Sequence, residues 1–186
     1  MRNQIFTNRQ WDEMSMRGEI LHCGYYHRYR NPDGSVNPEF YTDKVSGYIL
    51  DVKEKKLRGM SYFYEQLRDE ICEGVSICVV PSHTAGDMND SGLANIARRL
   101  AKEGRVDRVD YLLRTQTVSK LATGGNRELF VHLNSISVNP NMQIKGEVVL
   151  LVDDVTTSGN SLRACQQILL ENGATRVGLL ALGKSI

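Results

Sequence analysis

Two adjacent carboxylates, Asp153 and Asp154, follow the apolar run Val148–Val152 and precede Val155, Thr156, Thr157, Ser158, Gly159, Asn160 and Ser161. That order of residue types has chemical meaning. A short continuous apolar run reads as a buried parallel strand, and in open α/β sheets ligands bind beyond the carboxyl ends of strands. The loop after it offers backbone N–H groups, hydroxyls and the start of a helix, a set that suits an anion. Gly159 lets the backbone approach a phosphate with no Cβ between them. The acids would repel that phosphate; they suit hydroxyl groups or a hydrated Mg²⁺ beside it. A ligand with a phosphate at one end and a diol next to it matches both halves, as a ribose 5-phosphate does. If the acids only capped a helix and the Thr and Ser only filled a turn, one acid would be explained, but not two in succession.

The elements that must position this segment follow from periodicity. Val75–Val80 is a β-branched apolar run closed by Pro81. Ser91 can cap a helix through Leu93, Ile96, Ala97 and Leu100 that Gly104 ends. Arg108–Leu113, Leu129–Val138 and Val177–Leu182 read as further strands, and Ser161–Glu171 as a helix stopped by Asn172-Gly173. Strands alternating with helices predict an α/β fold, a Rossmann-like central parallel sheet flanked by helices. Upstream, Met60, Phe63, Tyr64, Leu67 and Ile71 recur at helical spacing over 57–73. Before that, Ile20–Tyr29 and Phe40–Val52 flank the turn signal Asn31-Pro-Asp-Gly34 and read as strands of a small antiparallel, hood-like appendage. The expected organisation is an N-terminal appendage over 1–56 and a core over 57–186.

Composition sets outer bounds. The 186 residues are 41% hydrophobic and 24% charged with 4 Pro, which excludes disordered and low-complexity classes. Lys+Arg 23 against Asp+Glu 22 leaves a net charge of +1, with no global pull toward nucleic acid or membrane. A local basic patch on Arg98, Arg99, Lys102, Arg105 and Arg108 is the one feature favouring nucleic acid. The polar Met1–Trp11 lacks a secretory apolar core, and no apolar stretch reaches membrane-spanning length, so a cytoplasmic location is expected. The 4 Cys form no C-x-x-C pair. His22, Cys23 and His27 cluster but lack a fourth ligand. Gly178–Ser185 satisfies G-x-x-x-x-G-K-[ST], but its Leu-Leu-Ala-Leu interior is strand-like and only Ile186 follows, where a P-loop needs a helix.

The segment Val148–Leu162 resembles the phosphoribosyl-pyrophosphate (PRPP) signature of type I phosphoribosyltransferases. Together with Leu113-Arg114-Thr115 through Lys120-Leu121, Asn126-Arg127 and Gly146–Val155, it is most similar to the competence-associated, ComF-like members. The likeness covers about residues 75–183, and the N-terminal four-cysteine zinc module of those members is absent. The resemblance implies a Mg²⁺-dependent enzyme transferring ribose 5-phosphate from PRPP to a nitrogenous base or amine, with release of pyrophosphate. Asp153 and Asp154 would hold the ribose hydroxyls with Mg²⁺ nearby, directly or through water. Residues Val155, Thr156, Thr157, Ser158, Gly159, Asn160 and Ser161 would bind the rest of PRPP, the loop cradling its 5-phosphate. Ser82, His83 and Thr84, after the first core strand, match the pyrophosphate loop. Arg114, Lys120 and Arg127 would be the cations of a flexible lid hinged at Gly124-Gly125, with Lys120 and Arg127 acting on the leaving group. The acceptor would lie under the N-terminal segment, where Tyr25, Tyr26, Tyr29, Tyr41 and Tyr48 either stack on a base or pack the segment down. A homodimer is compatible with the family. The competing expectation is a non-catalytic PRPP or nucleotide sensor.

Overall fold

A computed structural model describes residues 3–86, 89–118 and 126–186, with 126–128 described by their backbone alone. Its centre is a six-stranded sheet in the order β1 (Ile20–His22), β8 (Arg176–Ser185), β7 (Val148–Thr156), β3 (Ser76–Val79), β4 (Val106–Asp107). All these pairings are parallel, and β2 (Tyr25–Tyr26) also runs parallel to β8. The central strands are apolar throughout because alternate residues bury opposite faces. Ile77, Val79, Leu150, Val152, Leu180 and Leu182 enter one core cluster. Cys78, Val149, Leu151, Leu179 and Ala181 enter the other.

Helices cover both faces. The first cluster is closed by α1 (Arg9–Met16), α2 (Lys44–Lys53), α3 (Leu57–Leu67) and α4 (Gly92–Ala101), the second largely by α6 (Asn160–Glu171). The remaining helix, α5 (Asn126–Ser135), leads into a separate antiparallel pair, β5 (Leu112–Arg114) with β6 (Ile136–Val138). The expected α/β class with a central parallel sheet is the architecture found. Among the described residues no helix is long and apolar enough to cross a membrane.

The N-terminal segment departs from the expected antiparallel strands. Its short strands join the central sheet in parallel, and its antiparallel pairing is confined to isolated bridges, Arg30 with Val36 and Phe6 with Ile71. Residues 40–52 form the end of a 3-10 turn (Pro38–Tyr41) and then α2. The Asp43 side chain accepts from Val45 N and caps that helix, and Ile49 and Val52 fall on its buried face. Tertiary burial of that face outweighs the β propensity of its Val, Ile and Tyr residues. The helix packs so closely on α3 that a Cβ at Gly59 would overlap the Tyr48 carbonyl. Ile5, Phe6, Leu21, Ile49 and Val52 share the cluster of Phe63, Leu67, Ile77 and Leu150. At the far end of this segment Asp12 accepts from Ile5 N (2.8 Å) and pairs with Arg176 of β8 (3.0 Å). Burial alone would raise the Asp12 carboxyl, but these partners hold it below the ordinary carboxylate range.

Other boundaries also shift. Residues 129–135, expected as strand, belong to α5, so His132 is helical. The strand expected at 108–113 is replaced by β4 and β5 on either side of a turn. Strand β7 extends through Thr156, so both acids lie within the strand's final turns of pleat rather than after it. The Gly178–Ser185 pattern lies wholly inside β8.

Candidate functional site

The sheet order creates one topological break. The connection β3–α4–β4 steps outward on one side and β7–α6–β8 on the other, so β3 and β7 are neighbours whose chains diverge at their carboxyl ends. A crevice at such a point is where open parallel sheets bind ligands. The two segments singled out from sequence, 81–84 and 153–161, flank it.

Asp153 and Asp154 close the strand by accepting hydrogen bonds locally. Asp153 Oδ1 accepts from Asp154 N (2.8 Å) and Asp154 Oδ1 from Val155 N (2.6 Å). Desolvation in its half-buried place, reinforced by the Asp154 carboxylate alongside, pushes the Asp153 carboxyl up to about 8. Lys53 and Arg114 pull it the other way, as does the bond from Asp154 N.

Lys53, absent from the sequence-based candidates, is delivered by the last turn of α2. Its Nζ lies 2.9 Å from Asp154 Oδ2 and 5.7 Å from the Tyr26 ring centroid. Burial alone would lower the Lys53 ammonium, but Asp154 holds it above the usual lysine range. Both side chains keep about a third of their surface exposed (38% and 35%), so the pair contributes at most about 1 kcal/mol to stability. A helix over 44–53 places Lys53 in its last turn next to the buried Val52, and its pairing with Asp154 is a tertiary contact.

The loop after the acids begins with Thr156, which is 6% exposed. Its hydroxyl has no hydrogen-bond partner among the described residues, although an orphaned buried hydroxyl is costly. Helix α6 then starts at Asn160 with Gly159 as its left-handed cap residue (φ 82°), which has no side chain to cap it; Ser158 Oγ accepts weakly from Asn160 N (3.4 Å). Thr157 and Ser158 are exposed, and Asn160 and Ser161 are half-buried. Orphan hydroxyl, helix N-terminus and exposed loop together present donors where an anion would sit. The structure corrects one detail. A Cβ on Gly159 would run into Ile20 Cδ1 of β1, so that face of the glycine is turned to protein rather than to ligand.

On the other flank, Ser82 and His83 are exposed and Thr84 half-buried. Ser82 Oγ accepts from Thr84 N (3.3 Å), and His83 O accepts from Val118 N (2.9 Å). Arg114, expected as a lid cation, is instead 7% exposed. Its guanidinium donates to Ser82 O (2.8 Å), to Ser135 Oγ (2.7 Å) and to Pro81 O (3.4 Å). It sits at the end of β5, inside the fold, because these carbonyls need donors that the strand ladder does not supply. Arg114 therefore positions the 81–84 loop. Arg114→Lys should keep the charge but lose the fork, lowering stability by about 1–2 kcal/mol in denaturant unfolding. An unchanged midpoint would remove this role. Lys120 and Gly124-Gly125 lie outside the described residues, as does the side chain of Arg127.

Several other sequence features resolve into structure. Tyr48 stacks on Tyr62 (4.1 Å between centroids, 16° between planes), and Tyr29 meets Phe40 and Tyr41 edge-on. Tyr48 thus packs the segment against α3, while Tyr29 and Tyr41 pack within the segment and Tyr41 and Tyr25 stay exposed. In the suspected basic patch, Arg98 pairs with Asp110 and Arg108 with Glu147, Arg105 donates to backbone carbonyls, and Arg99 lies over the Tyr64 ring. Those cations are engaged by protein groups, which weakens the case for a nucleic-acid surface. His27 Nδ1 lies 3.1 Å from Glu39 Oε2, and burial pushes the Cys23 thiol up to about 12. No cluster of three His, Cys, Asp or Glu side chains able to hold a metal occurs among the described residues.

No protein-family model and no curated protein matches the chain. Among solved structures it is similar to a hypoxanthine phosphoribosyltransferase from Staphylococcus aureus, with 11% identity and a TM-score of 0.43 over 74% of each chain. It is also similar to the hypoxanthine-guanine phosphoribosyltransferase of L. donovani, with 13% identity and a TM-score of 0.38 over 74% of this chain and 71% of that one. A third similarity is to the phosphoribosylpyrophosphate synthetase of Mycobacterium smegmatis, with 19% identity and a TM-score of 0.37 over 68% of this chain. The chain spans 31% of that synthetase's length.

Proposed function

We propose that the chain is a Mg²⁺-dependent phosphoribosyltransferase of the cytoplasm, moving ribose 5-phosphate from PRPP to a nitrogenous acceptor and releasing pyrophosphate. The observation that carries this is the run from Asp153 to Ser161 at the break between β3 and β7. There, two acids stand beside a helix N-terminus with glycine at its cap position and a buried hydroxyl that has no partner among the described residues. The four cysteines are free thiols, which suits a reducing compartment.

In this reading the 5-phosphate takes hydrogen bonds from the backbone N–H groups and hydroxyls of residues 156–161. The Asp153 carboxyl and the Asp154 carboxylate accept from the ribose 2′ and 3′ hydroxyls, and Lys53 keeps Asp154 oriented. The donor set fits a hydrated divalent ion held mainly through water: one Asp154 carboxylate and the oxygens of the Asp153 carboxyl, each acid already accepting one backbone N–H, would leave most coordination positions to water and to the ligand. Bound there, Mg²⁺ would neutralise charge on the departing pyrophosphate. The C1–O bond to pyrophosphate breaks as an acceptor nitrogen bonds to C1, and the acceptor's displaced proton passes to solvent. The protein's contribution is positioning and charge stabilisation. His83 and the backbone of 82–84 face the leaving group.

One observation favours a second reading, a PRPP-binding regulator without turnover: Arg114, a cation the transfer reading would place on pyrophosphate, is held inside the fold. Calorimetric titration with PRPP, with and without Mg²⁺, followed by product analysis against a panel of bases, decides between the two. Micromolar binding with pyrophosphate release supports the transferase. Binding without release selects the regulator, and no binding defeats both.

A further inference from the structure

A cleft borders the site on the side away from the 81–84 loop. It is an open cleft of about 350 Å³, lined by Arg28, Arg30, Asn31, Pro32 and Asn37 of the N-terminal segment and by Thr157, Ser185 and Ile186 at the sheet's carboxyl edge. Its walls are ordered by their own bonds. Arg30 bridges to Val36, Asn31 N donates to Ser35 O (2.9 Å), Asn37 N to Tyr29 O (3.0 Å), and Arg30 Nη1 to Gly34 O (2.9 Å). Acids in the same stretch are engaged elsewhere: Asp33 accepts from Ser35, and Glu39 meets His27. Among the described residues no carboxylate side chain lines the cavity, and the Arg28 guanidinium is exposed with no hydrogen bond or ion pair.

The sheet order gives this place a meaning. Across the carboxyl edge the segments run 81–84 on β3, 153–157 on β7, Ser185 on β8 and then residues 28–37. With a sugar held over β7 and a leaving group toward β3, an incoming nucleophile arrives from the β8 side, where the cavity opens beside Thr157. The Asn31 amide donates to Ser35 Oγ and the Asn37 oxygen accepts from Glu39 N, so the two guanidiniums are the principal donors of the lining, and a guanidinium's planar fork matches a carboxylate. The volume suits a single ring with one small substituent.

We propose that this cavity receives a small ring compound bearing a carboxylate, recognised by Arg28 and Arg30. Resting on the transfer reading, that compound is the acceptor. The proposal extends that reading from any nitrogenous base to an anionic one.

The test compares pairs differing in one carboxylate, orotate against uracil and nicotinate against nicotinamide, by calorimetry on the full chain. Ribose 5-phosphate fills the loop, so no transfer can occur. The carboxylate member of at least one pair should bind at least tenfold more tightly. Arg28→Gln with Arg30→Gln should erase the preference while leaving ribose 5-phosphate affinity within about twofold. Because Arg30 also braces its own turn, Arg28→Gln alone, at an exposed and unpartnered side chain, keeps the test valid should the double variant misfold; it should reduce the preference at least threefold. Equal binding within both pairs overturns the proposal. So does loss of ribose 5-phosphate affinity in Arg28→Gln, which would assign the cations to the sugar phosphate. If ribose 5-phosphate fails to bind while the carboxylate preference persists, the cavity assignment stands and the transfer reading falls.

Discussion

Replacing both acids, Asp153→Asn with Asp154→Asn, should weaken PRPP binding by at least tenfold and leave the fold intact. The fold survives because each amide keeps the oxygen that accepts from the following backbone N–H, and both side chains stand at the half-buried end of β7. Binding suffers because a hydrogen bond to the Asp154 carboxylate, the member of the pair held by Lys53, contributes roughly 1.5–3 kcal/mol, and 1.4 kcal/mol is about a factor of ten in affinity. Titration calorimetry gives the affinity and circular dichroism the fold; a folded variant with unchanged affinity removes the ribose assignment.

The single change Asp153→Asn carries a second signature, in stability. The Asp153 carboxyl is raised from its ordinary 3.8 to about 8, so the folded protein holds this proton where the unfolded chain has lost it. Wild-type stability from this group is complete below about pH 4 and declines as pH rises through 8. The amide does not titrate. Thermal unfolding should therefore show the variant gaining on wild type between pH 5 and pH 8.5, with no such gain below pH 4. A pH-independent difference would mean that Asp153 ionises normally.

The parts legible in the sequence were those with two-sided burial. Strands β3, β7 and β8 announce themselves because both faces are covered, so Val149 and Leu150 point opposite ways yet are equally apolar. The acid pair was legible for a related reason, since nothing in a buried strand explains two adjacent carboxylates. The N-terminal segment was not, because α2 buries only one face and carries Val45, Tyr48, Ile49 and Val52, residues that also suit a strand. Missing that helix hid Lys53, whose importance depends on a pairing with Asp154 about a hundred positions away. Arg114 misled for the opposite reason: spacing cannot reveal that a cation near a glycine-rich segment turns inward to satisfy the carbonyls of Pro81 and Ser82.

The loop glycine separates a ligand role from a packing role. Gly159→Ala should destabilise the ligand-free protein by roughly 2–5 kcal/mol, a large share of a typical domain's stability. Two costs combine. Its backbone is left-handed at φ 82°, a conformation costing an L-residue about 1–2 kcal/mol. The new methyl would also overlap Ile20 Cδ1, and forcing an extra group into a packed contact costs about 1–3 kcal/mol. The second cost is removable, because valine lacks the Cδ1 atom. In a double-mutant cycle, Ile20→Val should cost little alone and should recover part of the loss in Gly159→Ala, leaving the backbone strain behind. Denaturant midpoints of the four proteins measure this directly. Additive effects would show that Ile20 does not press on the glycine. An unshifted midpoint in Gly159→Ala, with PRPP affinity lost, would restore close approach to the phosphate as the reason for glycine. A positive coupling would make β1 the support behind the loop, so that the N-terminal segment shapes the phosphate site from the protein side as Lys53 shapes the acids.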